Sequence, residues 1–221
     1  VKALIVGASR GIGLEFVRQW RADGVQVTAT ARDAAGLARL NALGATAFQL
    51  DVADVASAAS LAWHIDGERF DTVVIVAGVY GPRTGALDAP TEADFDSVMH
   101  TNVLGPMRVL PQIAAALAPN ARLVVISSRM GSMGLRAGTA GWLYRASKAA
   151  VNSVLKDASI VLGAQAVCVA LHPGWVRTDM GGAGADLAVS DAVATMRRTI
   201  AALTPRHNGA FLDHDGSPLA W

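Results

Sequence analysis

The sequence predicts an α/β fold, a doubly wound parallel sheet of about seven strands with helices on both faces. Three observations carry this expectation. Short β-rich runs alternate with longer segments of helical spacing. The short runs are apolar nearly throughout, as strands are when both faces of a parallel sheet are covered. A glycine cluster stands between the first run and the first helical segment.

Strands are expected over residues 3–6, 25–31, 45–50, 72–77, 122–127 and 166–171, with 210–212 as a seventh. Helices are expected over 12–22, 34–43, 55–65, 92–117, 143–162 and 186–203. Right-handed crossovers then bring the loops that follow the strands to one edge, where ligands bind. Two of those loops are long or glycine-rich, 130–141 and 181–184. Their glycines serve either a ligand or tight turns. With 221 residues the chain is expected to form a single domain over 1–221.

Composition narrows the function classes. Hydrophobic residues make up 52% and charged residues 17%, which suits a large buried core and not a disordered chain. A net charge of +1 gives no electrostatic case for nucleic acid. The apolar run Ala3-Leu4-Ile5-Val6 is ended by Gly7-Ala8-Ser9-Arg10-Gly11, far short of the ~20 residues that span a bilayer. It reads as a buried strand, with no signal peptide visible and no membrane partner expected. Cys168 is the single cysteine and lies in an apolar run, so a buried thiol in a reducing, cytoplasmic setting is expected. His64, His100, His207 and His214 are scattered, and nothing resembles a metal site.

The cluster Gly7-Ala8-Ser9-Arg10-Gly11-Ile12-Gly13 follows the first strand and opens the first helix. Glycines there permit a tight turn and close approach of backbone to a pyrophosphate, and the helix N-terminus supplies free N–H groups. This is the placement of a Rossmann-type dinucleotide loop, although the spacing is G-x-x-x-G-x-G and turns also collect glycine. The second strand ends in Thr30-Ala31 and is followed by Arg32, where NAD enzymes usually carry an acid. A guanidinium there favours the 2′-phosphate of NADPH, with Arg10 adding charge on the same side and Asp33 opposing it. Asp51-Val52 follows the third strand. Asp51 either accepts from the adenine amino group or caps the next helix, and its residue type favours the cap.

Tyr144 and Lys148 lie four apart on one helix face. A nearby ammonium is expected to lower the phenol's pKa, making Tyr144 a general acid/base. Ser128 ends the fifth strand and is expected to hydrogen-bond the substrate oxygen. Ser127 is its rival, since adjacent strand residues point to opposite faces. The Asn102 amide is expected to order a water beside Lys148, or else to be a helix-terminal Asn. His172 reads as structural. Pro173-Gly174 forces a turn at the ligand edge, and Thr178 is placed to bond the nicotinamide amide. Tyr80, Met133, Trp142 and Trp175 are candidates for a mostly apolar substrate pocket, or are core residues.

Taken in order along the chain, these residues resemble the short-chain dehydrogenase/reductase family. The set comprises the Gly7–Gly13 loop, Asp51-Val52, Ala77-Gly78, Asn102, Ser128, Tyr144, Lys148 and Pro173-Gly174 through Val176 and Thr178. The resemblance implies a seven-stranded sheet, an Asn-Ser-Tyr-Lys tetrad and 4-pro-S hydride transfer between NADPH and a carbonyl or alcohol. It also implies a homodimer or homotetramer. Within the family the chain is similar to a compact branch of sniffer-type carbonyl reductases and C-factor proteins. That branch brings an alternative: a nucleotide-binding signalling protein with little turnover. Two features depart from the family's pattern. Val76 stands where the family has Asn before Ala77-Gly78, and sixteen positions from Ser128 to Tyr144 exceed the usual spacing. A serine matched by distance alone would fall on Gly131.

Overall fold

The computed structural model describes residues 1–221. Seven parallel strands form one sheet: β1 (Lys2–Val6), β2 (Gln26–Ala31), β3 (Thr46–Gln49), β4 (Phe70–Ile75), β5 (Leu117–Ile126), β6 (Ala166–Leu171) and β7 (Ala210–Leu212). Their spatial order is β3-β2-β1-β4-β5-β6-β7. The chain runs outward from β1 to β3, then returns to the other side of β1 with β4. The connections after β1 and β4 therefore leave in opposite directions along the sheet, and a crevice lies at the strand ends.

Helices cover both faces because successive strand residues point opposite ways. Ala3 and Ile5 enter one core with Phe16, Trp20 and Ile200, which come from α1 (Gly11–Ala22) and α8 (Val189–Ala201). Leu4 and Val6 enter the other with Val109, Ile113, Val151 and Leu155, from α6 (Gly105–Ile113) and α7 (Trp142–Leu162). The helix α2 (Ala34–Ala42) is capped by Asp33, whose carboxylate accepts from the Gly36 N–H at 2.6 Å. No helix is long and apolar enough to cross a membrane. Cys168 is buried, and burial pushes its thiol up to about 11.

Three expected helices are altered. The segment 55–65 divides at Ser60 into α3 (Val55–Ala59) and α4 (Leu61–His64). The segment 92–117 divides into α5 (Glu92–Met99), a π turn (His100–Leu104), α6 and a short 3-10 turn. It ends early because Leu117 already pairs with Phe70 in the sheet, which lengthens β5 backward past Asn120 at φ 61°. The last helix begins at Val189 rather than 186, because Leu187 bridges Val176 in extended conformation.

Candidate active site

The site begins where β1 ends. Gly7 turns at φ 87°, and a Cβ there would lie 2.7 Å from the Ala77 backbone, so the loops after β1 and β4 are in direct contact. Thr30 of β2 holds this turn, its Oγ1 accepting from Gly7 N–H at 3.0 Å and its carbonyl from Ala8 N–H at 2.7 Å. Gly13 lies so close behind the loop that a Cβ would meet the Gly7 carbonyl oxygen at 2.5 Å. No side chain caps α1. The N–H groups of its first turn therefore lack a helical partner at Gly11 and Ile12, both of which line a cavity of about 420 Å³.

That cavity runs along the strand ends from Arg32 to Tyr144 and Lys148. Gly7, Ser9, Arg10, Asp51, Val52, Ala77, Gly78, Pro173 and Thr178 also line it. Three expected cofactor residues sit behind the wall instead. Gly13 packs on the glycine loop, Val176 is buried in the α1–α8 core, and Gly174 turns at φ 82° against Leu187. Thr178 reaches across to the loop after β1, its methyl 3.4 Å from where a Gly11 Cβ would be.

The charges at the Arg32 end sort themselves. Asp33 is engaged as the cap of α2, and Arg32 makes no ion pair. Arg10 does make one, donating to Asp179 at 2.8 Å, with both side chains largely exposed. Arg39 on α2, which no sequence motif singles out, donates from Nε to the Ser9 carbonyl at 3.0 Å. Asp51 is not a helix cap. Asp54 caps α3, accepting from Ser57 N–H at 2.7 Å, whereas Asp51 accepts from Ala53 N–H at 2.9 Å within its own turn.

At the other end Tyr144 and Lys148 project from α7, both buried. Lys148 donates from Nζ to the Ile126 carbonyl at 2.9 Å and lies 5.6 Å from the Tyr144 ring centroid. Burial pulls its ammonium down to about 8. The expected lowering of Tyr144 is corrected by the structure. Burial pushes the phenol up to about 12, outweighing the hydrogen bonding of Ser128 that favours the phenolate, and Tyr80 adds to the rise. Desolvation penalises the charged form more than the hydrogen bond from Ser128 rewards it.

The two serines separate clearly. Ser127 Oγ donates to Asn152 Oδ1 at 2.5 Å, so its hydroxyl is committed although the residue touches the cavity. Ser128 is the hydroxyl beside the phenol, and it also accepts from Met130 N–H at 3.1 Å. Gly131 has no room for a side chain, since a Cβ would lie 2.7 Å from the Lys148 backbone. Asn102 is buried and holds the loop after β4. Its Oδ1 accepts from Val79 N–H at 2.8 Å, and its Nδ2 donates to the Val79 carbonyl at 2.8 Å and to Ser147 Oγ at 2.9 Å. These bonds make the amide a bracket between the loop after β4 and α7, and its Oδ1, with one donor, stands beside Gly78 as Lys148 Nζ does.

Of the expected pocket residues, only Tyr80 touches the phenol, with ring centroids 4.6 Å apart. Trp175 is half-exposed and donates from its indole back to the Gly181 carbonyl of its own loop at 3.0 Å. Met133 lies out in solvent beside Gly134, whose N–H donates to the Trp221 carbonyl. Trp142 opens α7 without lining the cavity. The residue that sequence reasoning passed over is Met180, whose sulfur lies 4.0 Å from the Tyr144 hydroxyl. Its place just before the glycine-rich loop at 181–184 was the available signal. His172 stays outside the cavity, its Nδ1 buried and unpartnered, and burial drives its pKa down to about 4.

Comparison with known proteins agrees with this geometry. Residues 2–186 match the family model for short chain dehydrogenases. A 1-hydroxy-2-glutathionyl-2-methyl-3-butene dehydrogenase from Rhodococcus sp. (strain AD45) is 34% identical over 230 residues, covering 99% of this chain and 98% of that protein. The C-signal protein of Myxococcus xanthus is 39% identical over 154 residues, 68% of this chain and 92% of that one. A carbonyl reductase from Pseudomonas aeruginosa PAO1, solved in complex with NADP, superposes with a TM-score of 0.86 at 30% identity, covering 100% and 99% of the two chains. The chain belongs to the short-chain dehydrogenase family.

Proposed function

We propose that the protein is an NADPH-dependent oxidoreductase acting on a carbonyl or alcohol, with Tyr144 as proton donor and acceptor. The observation that carries this reading is a convergence. A phenol and an ammonium line one end of a cleft, with the Ser128 hydroxyl beside the phenol just behind the lining, and the other end is a glycine turn and an arginine without an ion pair. The residues fit a dinucleotide. Gly7 leaves backbone exposed where a Cβ would fill the turn, the uncapped first turn of α1 offers N–H groups to a pyrophosphate, and Arg32 is free for a 2′-phosphate. A bound dinucleotide would supply the hydride. The protein's part is to place and protonate the oxygen.

Ser128 orients the substrate oxygen toward Tyr144. The phenol, held protonated by burial, gives its proton to the developing alkoxide, a far stronger base than phenolate. Lys148 keeps a positive charge close to the phenolate that remains. In the oxidation direction the phenolate is the active form, so the rate should climb toward high pH. Asn102 supports the reaction by fixing Val79 and Ser147. The signalling alternative gives no reason for these three groups to converge.

Replacement of Tyr144 by Phe tests the reading. NADPH oxidation with a panel of small carbonyls should fall by ~10²–10⁴, the usual worth of general acid catalysis. NADPH affinity, followed by fluorescence titration, should be retained. Turnover near the wild-type rate would overturn the assignment.

A further inference from the structure

The loop after β4 is built onto the Tyr144 ring. Tyr80 stacks on it with centroids 4.6 Å apart and planes at 22°. The Arg83 guanidinium lies over the Tyr80 ring in turn, 4.9 Å from its centroid. Arg83 is itself fixed, donating from Nη2 to the Met180 carbonyl at 2.9 Å, and Met180 places its sulfur at the Tyr144 hydroxyl. The same loop is tied to the start of α7, where the Thr84 carbonyl accepts from Gly141 N–H at 2.9 Å. Gly141 is the residue before α7, a position that favours Ser, Thr, Asp or Asn. Here it is glycine at φ 67°, and any Cβ would overlap the Tyr80 hydroxyl. The start of α7 is thus shaped around Tyr80.

We propose that Tyr80 is the positioning residue for the proton donor: its ring, held by Arg83 and seated against Gly141, fixes the orientation of Tyr144 and keeps water from it. This rests on the assignment of Tyr144 as the donor. The groups facing Tyr144 are few. Tyr80, with Arg83 behind it, comes from the loop after β4, and Lys148 from α7. Ser128 and Met180 add a neutral hydroxyl and a thioether, and the nearby Asp179 is paired with Arg10. Tyr80 is therefore the largest removable part of the cover.

Only two tyrosines occur in the chain, so Tyr80→Phe and Tyr80→Ala each leave Tyr144 as the sole phenol. Alkaline titration of tyrosinate absorbance, with circular dichroism following the fold, then reads Tyr144 without dinucleotide or substrate. In Tyr80→Phe, which keeps the stacked ring, ionisation should wait until about pH 12 or until the fold is lost. In Tyr80→Ala, water reaches the phenol and ionisation should begin at least about one pH unit lower, toward the free value of ~10. Turnover should follow. Tyr80→Ala should lose about tenfold or more in kcat with NADPH affinity retained, and its oxidation rate should rise at lower pH, whereas Tyr80→Phe should restore both. If Tyr80→Ala does not fold, Tyr80→Leu carries the same comparison. Identical titrations in the two variants would overturn the proposal, and so would equal impairment of both, which would place the role in the hydroxyl. An active Tyr144→Phe variant would instead overturn the donor assignment and leave the titration result standing.

Discussion

Ser127 and Ser128 are neighbours, and one hydrogen bond, from Ser127 to Asn152, separates their surroundings. The alternation of strand side chains made it legible that only one could reach the phenol. Alternation alone does not say which; the family resemblance favours Ser128, and Asn152, twenty-five positions away on α7, takes the Ser127 hydroxyl. Arg32 and Asp33 were ambiguous for the same kind of reason. In the sequence the acid opposes a 2′-phosphate; in the structure the cap of α2 engages it. The serines should respond differently to truncation. Ser128→Ala should lower turnover by ~10²–10³, as for loss of one donor to a developing oxyanion, with stability retained. Ser127→Ala should leave kcat nearly unchanged but cost ~1–3 kcal/mol of stability, because the buried Asn152 would lose its remaining side-chain partner. Steady-state kinetics and urea denaturation on both variants check this, and a reversal would move the substrate contact to Ser127.

At the scale of elements, the strands were the most legible. A strand buried on both faces must be a nearly unbroken apolar run, and such runs stand out in the sequence. The helical spacing over 92–117 does not show its interruption, because that interruption is tertiary. The π turn at His100–Leu104 forms where Asn102 bonds the Val79 backbone and Gly105 lets α6 come close to Val52. Nothing in the spacing of apolar residues encodes those contacts. The reach of α1 was legible through its glycines, and Gly13 makes a sharp test. A Cβ there would lie 2.5 Å from the Gly7 carbonyl oxygen and 2.8 Å from the Ala8 Cα, all backbone, so the helix must move away from its loop. Gly13→Ala should weaken NADPH binding by about tenfold or more, roughly 1.4 kcal/mol, through displacement of the first-turn N–H groups. Isothermal titration with NADPH reads this directly. Unchanged affinity would mean that the first turn of α1 does not hold the dinucleotide.

At the scale of the whole molecule, the crevice exists because the strand order reverses between β1 and β4. Alternation of strands and helices made that architecture legible, and with it the edge on which ligands bind. The cavity at that edge draws on the loops after β1, β2, β3, β4 and β6 and on α7, so a ligand filling it ties both halves of the sheet together. Binding to the native state alone must then stabilise the entire fold. NADP⁺ at about 100 times its Kd should add ~2.7 kcal/mol. For a chain of this size that corresponds to a rise in Tm of about 5–10 °C. NAD⁺ at the same concentration should do much less, because Arg32 has no 2′-phosphate to hold. Arg32→Asp should remove ~1.5–3 kcal/mol of NADP⁺ affinity, the worth of hydrogen bonds to a charged group, and close the gap between the two dinucleotides. Thermal melts of wild type and variant with each dinucleotide measure all four combinations. Equal shifts by NAD⁺ and NADP⁺ in the wild type would overturn the choice of NADP, and no shift with either would remove the dinucleotide from the cleft.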